Sequence, residues 1–344
     1  MSRRIDQLQP SDLDRARASV APLSDAVASA KAEAGEDAVV VGWLSDMHIH
    51  SEEDYRAGAG FYSDFANSEA NFELALAEVR ALKPSPDVVV LGGDLTNTNT
   101  LPQYEAFSRI LDRCWQGAAL PPLLPLRGNH DQFAFAPAAA RFAEHWTTFA
   151  RPDWPAPIDS SDALYYEVEH KGWRFVAIDP LNRPFTEKQK PWIESRLAPG
   201  ASDRPTIVLC HIPIVAVGNW VDQHAVTDPR VVRAIDGSDS VRLVLSGHTH
   251  KAAAWMYRRK VHAVFPACAY GIDDACGWGV VVLGRGQVHS IFVKELAAPA
   301  FDHVSWQLTA QEGRFRRLET PLFENSPLLN PYILPRHERP EDRC

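Results

Sequence analysis

The 344-residue chain has little cysteine, no long uncharged apolar run and no surplus of positive charge, and each shortage removes a class of function. Its five cysteines, Cys114, Cys210, Cys268, Cys276 and Cys344, are an odd number with no C-x-x-C pair and no dense spacing. That excludes a disulfide scaffold and points to a reducing compartment. Cys268 and Cys276 flank a Gly-Asp turn, but no second pair accompanies them, so no zinc clip is expected there. No apolar stretch approaches the roughly 20 residues that cross a bilayer, and the opening MSRRIDQLQP has no apolar signal core. A cytoplasmic protein without a membrane span is the expectation. With 35 Lys and Arg against 44 Asp and Glu, the formal net charge of -9 offers no basic track for a nucleic-acid backbone. An anionic substrate would therefore need positive charge from another source, and bound metal is one.

What is present is the composition of a folded globular protein, 45% hydrophobic and 23% charged, with no internal repeat. Residues 1–36 read as a helical lead-in. Ser11 is the expected N-cap, Leu13, Ala16, Val20, Leu23 and Val27 lie near one face, and Pro22 is expected to break or kink the helix. The body spans 37–311. Apolar runs at 38–46, 87–94 and 120–131 predict strands, separated by helices around 68–82 and 102–115. A hairpin is expected over 164–179, turning at Lys171 and Gly172, and two more buried strands at 205–213 and 241–250 run into histidines. Four short strand-like segments follow, at 252–257, 261–265, 278–283 and 287–293, without helices between them, as in an antiparallel sheet. Alternation of strand, polar loop and helix is the grammar of an α/β protein. From 312 to 344 the chain carries Pro321, Pro327, Pro331, Pro335 and Pro340 and loses periodicity. Its Leu, Phe, Tyr and Ile residues suit a tail that packs on the body or on a second subunit, which makes a homodimer an open expectation.

Chemistry collects at five strand exits. The first ends in Asp46 and His48, the second in Asp94, the third in Asn129 and His130, the fourth in His211, the fifth in His248 and His250. All are oxygen or imidazole donors suited to divalent transition metals. Singly each has a bland reading: Asp94 after two glycines could cap a turn, G-N-H-D could be a turn alone, and a lone His211 could be structural. Residues two apart in extended chain point the same way, so Asp46 with His48, and His248 with His250, can each aim a pair of side chains at one place. With Asp94, Asn129 and His211 that makes seven donors, more than one four-coordinate ion needs and suited to two ions sharing a bridging carboxylate.

The ordered set D-x-H (Asp46, His48), G-D (Gly93, Asp94), G-N-H-D (Gly128 to Asp131), H (His211) and G-H-x-H (Gly247 to His250) resembles the calcineurin-like metallophosphoesterase family. The resemblance spans residues 46–250. It implies a four-layer α/β/β/α sandwich of two mixed sheets with a dinuclear centre at the carboxyl ends of strands. It also implies that Asp46, His48 and His250 hold one ion, that Asn129, His211 and His248 hold the other, and that Asp94 bridges. The ions would be divalent Mn, Fe or Zn, a mixed Fe/Mn pair included. A hydroxide bridging them would attack phosphorus, His130 would protonate the leaving oxygen or stabilise the transition state, and Asp131 would orient His130.

Departures from the pattern narrow the subgroup. Asn97 stands where purple acid phosphatases place a tyrosine ligand, and the protein-phosphatase signature GDxVDRG is absent. GGDLTNTNT with GNHD and GHTH is more similar to the bacterial cyclic-nucleotide and glycerophosphodiester phosphodiesterase branch. The expected activity is therefore hydrolysis of a small phosphodiester. A phosphomonoesterase with the same centre is the alternative, and a non-catalytic scaffold is disfavoured because every ligand and His130 are kept. Residues 50–65 are expected to contribute to the pocket rim, with His50 a loop histidine and no eighth ligand. Phe133, Phe135, Trp220 and His224 are the candidate substrate contacts.

Overall fold

A strand that is apolar at every position must be covered on both faces, and β1 (Val39–Leu44) is buried along its whole length. The computed structural model, which describes residues 8–50, 67–117, 120–132, 155, 164–180, 185–215, 225, 228–269, 275–297 and 313–320, shows what covers it. Beside β1, parallel to it and then to each other, lie β2 (Val88–Leu91) and β3 (Leu123–Pro125). On its other side β10 (Gly277–Gly284), β11 (Gln287–Glu295) and β12 (Phe315–Arg317) continue the first sheet antiparallel. The second sheet runs β4 (Tyr166–His170), β5 (Trp173–Ile178), β6 (Thr206–Cys210), β7 (Val241–Ser246), β9 (Lys260–Val264), β8 (Ala253–Tyr257). There β5, β6, β7 and β9 are parallel, and β4 and β8 are antiparallel edges.

Side-chain alternation in the second sheet separates two cores. Phe175, Ala177, Ile207, Leu209, Leu243 and Leu245 face the first sheet and join the main core with β1 and β10. Val176, Ile178, Val208, Cys210 and Val244 point the opposite way, onto Ile193 and Leu197 of α5 (Gln189–Leu197) and Val231 and Ile235 of α6 (Pro229–Gly237). On the outer side of the first sheet, α2 (Ala21–Ala34) packs against β10 and β11. In the same layer α3 (Ser68–Ala81) packs against α1 (Pro10–Ala18) and against α4 (Leu101–Cys114), with Phe72 stacked on Phe107 at 5.3 Å between centroids. The result is helix, sheet, sheet, helix, the four layers expected. Among the described residues no helix is long and apolar enough to cross a membrane.

A buried ionic cluster joins the lead-in helices to this frame. Lys294 on β11 donates to Ser19 Oγ at 3.0 Å and faces Glu78 of α3 at 3.3 Å, both charged side chains fully buried. Trp278 and the Ala297 amide donate to the same carboxylate at 2.7 and 2.8 Å. Burial raises the Glu78 carboxyl and lowers the Lys294 amine, each against the pull of the other, so the cluster fixes position more than it adds stability.

Several local expectations change. Helix α1 starts at Pro10, one residue before Ser11, and Asp12 accepts the Gln9 amide at 3.0 Å, so Ser11 is not the cap. Pro22 does not kink a single helix; it sits in the first turn of α2, where its missing N–H has no intrahelical partner to lose. Helices α5 and α6 have no counterpart among the sequence expectations. The four late strands do not form one antiparallel sheet: β8 and β9 complete the second sheet, while β10 and β11 return to the first. The turn at Lys171 and Gly172 has both residues at positive φ, 46° and 79°, which matches the twist of a tight hairpin.

Candidate metal centre

The carboxyl ends of β1, β2 and β3 in one sheet and of β6 and β7 in the other meet at one rim, so the donors come from both sheets. Beyond β1 the chain continues alongside the β2 exit: the Asp46 amide donates to Gly93 O and the His48 amide to Asp94 O, both at 2.9 Å. Extended geometry does not explain the paired donors. Asp46, His48, Asp94, His248 and His250 all have left-handed backbone, with φ of 54°, 44°, 48°, 66° and 54°. Such a conformation costs a non-glycine residue about 1–3 kcal/mol and persists where surrounding contacts hold it. Five together at one rim mark a site built by its backbone. Two glycines let the loops close up: a Cβ on Gly128 would lie 2.1 Å from Asp94 Oδ1, and one on Gly247 would lie 2.5 Å from Asp46 Oδ2.

The ring nitrogens and carboxylates then crowd together. His250 Nε2 is 3.3 Å from Asp46 Oδ1 and 3.2 Å from His48 Nε2. His211 Nε2 is 3.2 Å from Asp94 Oδ2, 3.2 Å from Asn129 Oδ1 and 3.9 Å from Asp46 Oδ1. Asp94 belongs to both sides, since its Oδ2 is also 3.6 Å from His48 Nε2 while its Oδ1 accepts the His130 amide at 2.7 Å. Three sets of donor atoms each lie within 4.8 Å of one another: Asp46, His48 and His250; His48, Asp94 and His130; Asp94, His211 and His248. Asn129, His130 and His248 are half-buried, and the other donors are buried.

The donor set fits divalent metal. His211 Nδ1 is 2.7 Å from the Gly92 carbonyl, which fixes the proton on that nitrogen. Its Nε2 then faces oxygen acceptors of Asp94 and Asn129, an arrangement that calls for a cation at that point, either a proton or a metal. Burial disfavours a charged His211 ring, yet the Asp94 and Asp46 carboxylates outweigh it and push the ring up to about 10. Burial would also raise the Asp46 carboxyl, but His211 and His250 pull it down to about 2. The Asp94 carboxyl falls well below its usual range because His211 and His130 overcome burial. His48, by contrast, is held well below its usual value by burial and by His130, so its ring is neutral and ready to ligate. A metal held at His211 Nε2 would displace the proton there, so loading through His211 should release protons and tighten as pH rises from 6 to 9. Isothermal titration in buffers of differing ionisation enthalpy measures this; metal binding without proton release would contradict it.

His130 and Asp131 are adjacent, but their side chains have separate partners. His130 Nδ1 lies 2.7 Å from the backbone carbonyl of Asn97, and its ring meets His48 edge-on at 4.4 Å between centroids. Asp131 does not orient it. Its carboxylate accepts the Leu95, Thr96 and Gly128 amides at 3.0, 3.0 and 2.9 Å, with the Thr96 and Tyr104 hydroxyls at 3.0 and 3.2 Å. Asp131 therefore ties the G-N-H-D turn to the loop after Asp94. Burial and the Asp94 charge raise its carboxyl to about 6 despite those amides. The Asn97 carbonyl carried no sequence signal, because every residue has one; only the position three after Asp94 drew notice. Arg127, before Gly128, is buried and pairs with Asp179 at 2.8 Å, joining the β3 exit to the β5 exit behind the centre. His50 is buried, with Nδ1 3.4 Å from the side-chain Nδ2 of Asn97. Phe133, Phe135, Trp220 and His224, and residues 51–65 of the expected rim, lie outside the described residues.

Known proteins similar to this chain include phosphoesterases. A glycerophosphodiester phosphodiesterase of Enterobacter lignolyticus is 25% identical over 246 residues, covering 68% of this chain and 79% of that protein. A probable cyclic nucleotide phosphodiesterase of Synechococcus is 29% identical over 222 residues, covering 60% of this chain and 77% of that one. The crystal structure of a dimetal phosphatase from Danio rerio shares the fold, with a TM-score of 0.54 at 13% identity over 74% of this chain and 95% of that one. The family model described as calcineurin-like phosphoesterase matches residues 39–252. That span takes in all five strand exits and every donor from Asp46 to His250, and the chain belongs to the calcineurin-like phosphoesterase family.

Proposed function

We propose that this protein is a dinuclear metal-dependent phosphodiesterase acting on a small cyclic-nucleotide or glycerophosphodiester type of substrate. The observation that carries the reading is the shared position of Asp94, within 3.2 Å of His211 Nε2 and 3.6 Å of His48 Nε2, which suits a bridging carboxylate. On this reading Asp46, His48 and His250 hold one ion and Asn129, His211 and His248 the other. The ions are Mn, Fe or Zn, or Fe with Mn, since mixed O and N donors accept any of these and availability decides. When bound, they supply Lewis acidity to the phosphoryl oxygens and lower the pKa of water from 15.7 towards about 7. Half-buried Asn129, His130 and His248 form the face that meets substrate. His130, held at Nδ1 by Asn97 O, presents its other nitrogen to the leaving oxygen and gives up a proton as the phosphorus–oxygen bond breaks.

Diester specificity is supported by what the two curated relatives are named for, glycerophosphodiesters and cyclic nucleotides. Residues 37–311 form the catalytic unit, 1–36 a helical lead-in and 312–344 a tail available for a homodimer contact, and the protein works in the cytoplasm. The test is turnover of bis(p-nitrophenyl) phosphate against p-nitrophenyl phosphate, with bound metal counted in the same preparation. A higher kcat/KM for the diester is expected; preference for the monoester would replace the reading with a phosphatase.

A further inference from the structure

The family match begins at residue 39, so α1 and α2 precede the region that carries the metal donors. Where α1 lies against α3, residues of both helices and the last turn of α4 line a cleft of about 490 Å³ on the helix layer outside the first sheet. None of the donors lines it. Three guanidiniums do, those of Arg17, Arg80 and Arg113, against the single carboxylate of Glu73. The wall thus holds a formal surplus of two positive charges in a chain whose balance is -9.

These arginines are held loosely enough to accept another anion. Arg113 pairs with Glu73 at 2.6 Å and Arg17 with Asp14 at 3.0 Å, and both arginine side chains are more than half exposed, with Glu73 the more covered partner. The exposed Arg17–Asp14 pair is a weak surface contact that exchanges readily. Arg80 donates to the Cys114 carbonyl at 2.5 Å, a neutral partner at the end of α4, and among the described residues no carboxylate pairs with it. The walls themselves are fixed. Ser19, directly after α1, bonds back to Ala16 O at 2.7 Å and receives Lys294 at 3.0 Å, so α1 is tethered through the buried Glu78 cluster to β11. A pre-formed cleft of this volume, with forked donors on its wall and Leu13 and Ala77 as its apolar part, matches a small ligand bearing a tetrahedral dianion.

We propose that this cleft is a second anion site, separate from the metal centre, that binds the phosphate group of a small molecule and exists because the lead-in helix docks there. Three guanidiniums exceed what a monoanionic carboxylate needs and suit phosphate. Equilibrium dialysis of the metal-loaded full-length protein against radiolabelled inorganic phosphate, and in parallel against glycerol 3-phosphate, tests it. The Arg80→Gln/Arg113→Gln variant is expected to lose one bound equivalent, or to bind it at least tenfold more weakly, with kcat and KM on bis(p-nitrophenyl) phosphate unchanged. Arg17→Gln, on the opposite wall, should weaken the same equivalent and provides a second reading if the double variant folds poorly. Equal binding of the two probes assigns the site to the free ion, and tighter binding of the ester assigns it to a phosphorylated metabolite. Identical stoichiometry and affinity in wild type and both variants would overturn the proposal. The equivalents are counted by binding, so the outcome stands whether or not the metal centre prefers diesters.

Discussion

His130→Ala is expected to lower kcat by about 10²–10⁴-fold, the range for losing a positioned proton donor, while both metals stay bound. The backbone and the ring of this residue make separate contacts. Its backbone amide donates to Asp94 Oδ1 at 2.7 Å, and alanine keeps that bond, so Asp94 remains in place. Only the ring, with its Nδ1 on the Asn97 carbonyl, is removed. The same ring stands within 4.8 Å of donor atoms of His48 and Asp94, which would also suit a ligand. Elemental analysis beside steady-state kinetics therefore decides the role: unchanged metal with depressed kcat assigns proton transfer, and loss of an equivalent assigns coordination.

Asp94→Ala should be the more damaging change, removing metal as well as turnover. Loss of an outer partner of a ligand typically lowers metal affinity about 10–100-fold, and Asp94 faces donors of both groups directly. Its other oxygen holds the His130 amide, so the variant also frees the G-N-H-D turn that carries Asn129. Elemental analysis of the dialysed variant should show depletion at both positions and turnover below that of His130→Ala. Equal metal loss in the two variants would contradict the division between bridge and proton donor.

The donors were legible because each follows a run such as 38–46 or 241–250 whose apolar residues predict a buried strand, and strand ends are where α/β proteins gather polar groups. The apolar alternation that divides the second sheet into two cores is equally local. The distribution of strands between sheets was not, since β8–β9 and β10–β11 are similar hairpins and their placement depends on partners far along the chain, Val244 beside His262 in one case and Val41 beside Val281 in the other. Nor could the sequence reveal what holds His130. A neighbouring carboxylate drew attention to Asp131, but the main-chain oxygen of Asn97 is the partner, and Asp131 is occupied by three amides and two hydroxyls. Helix α6 had a local signal in Asp228 before Pro229, where the Asp228 side chain accepts the Arg230 amide at 2.9 Å.

The left-handed backbone at Asp46, His48, Asp94, His248 and His250 limits how this centre can be re-engineered. Aspartate, asparagine and histidine are the bulky-side-chain types that visit that conformation most readily, whereas β-branched residues resist it. Ligand swaps within this trio change the coordination chemistry on an intact framework; a valine or threonine at any of the five would deform the framework first, and its phenotype would report on main-chain geometry instead of on the missing donor.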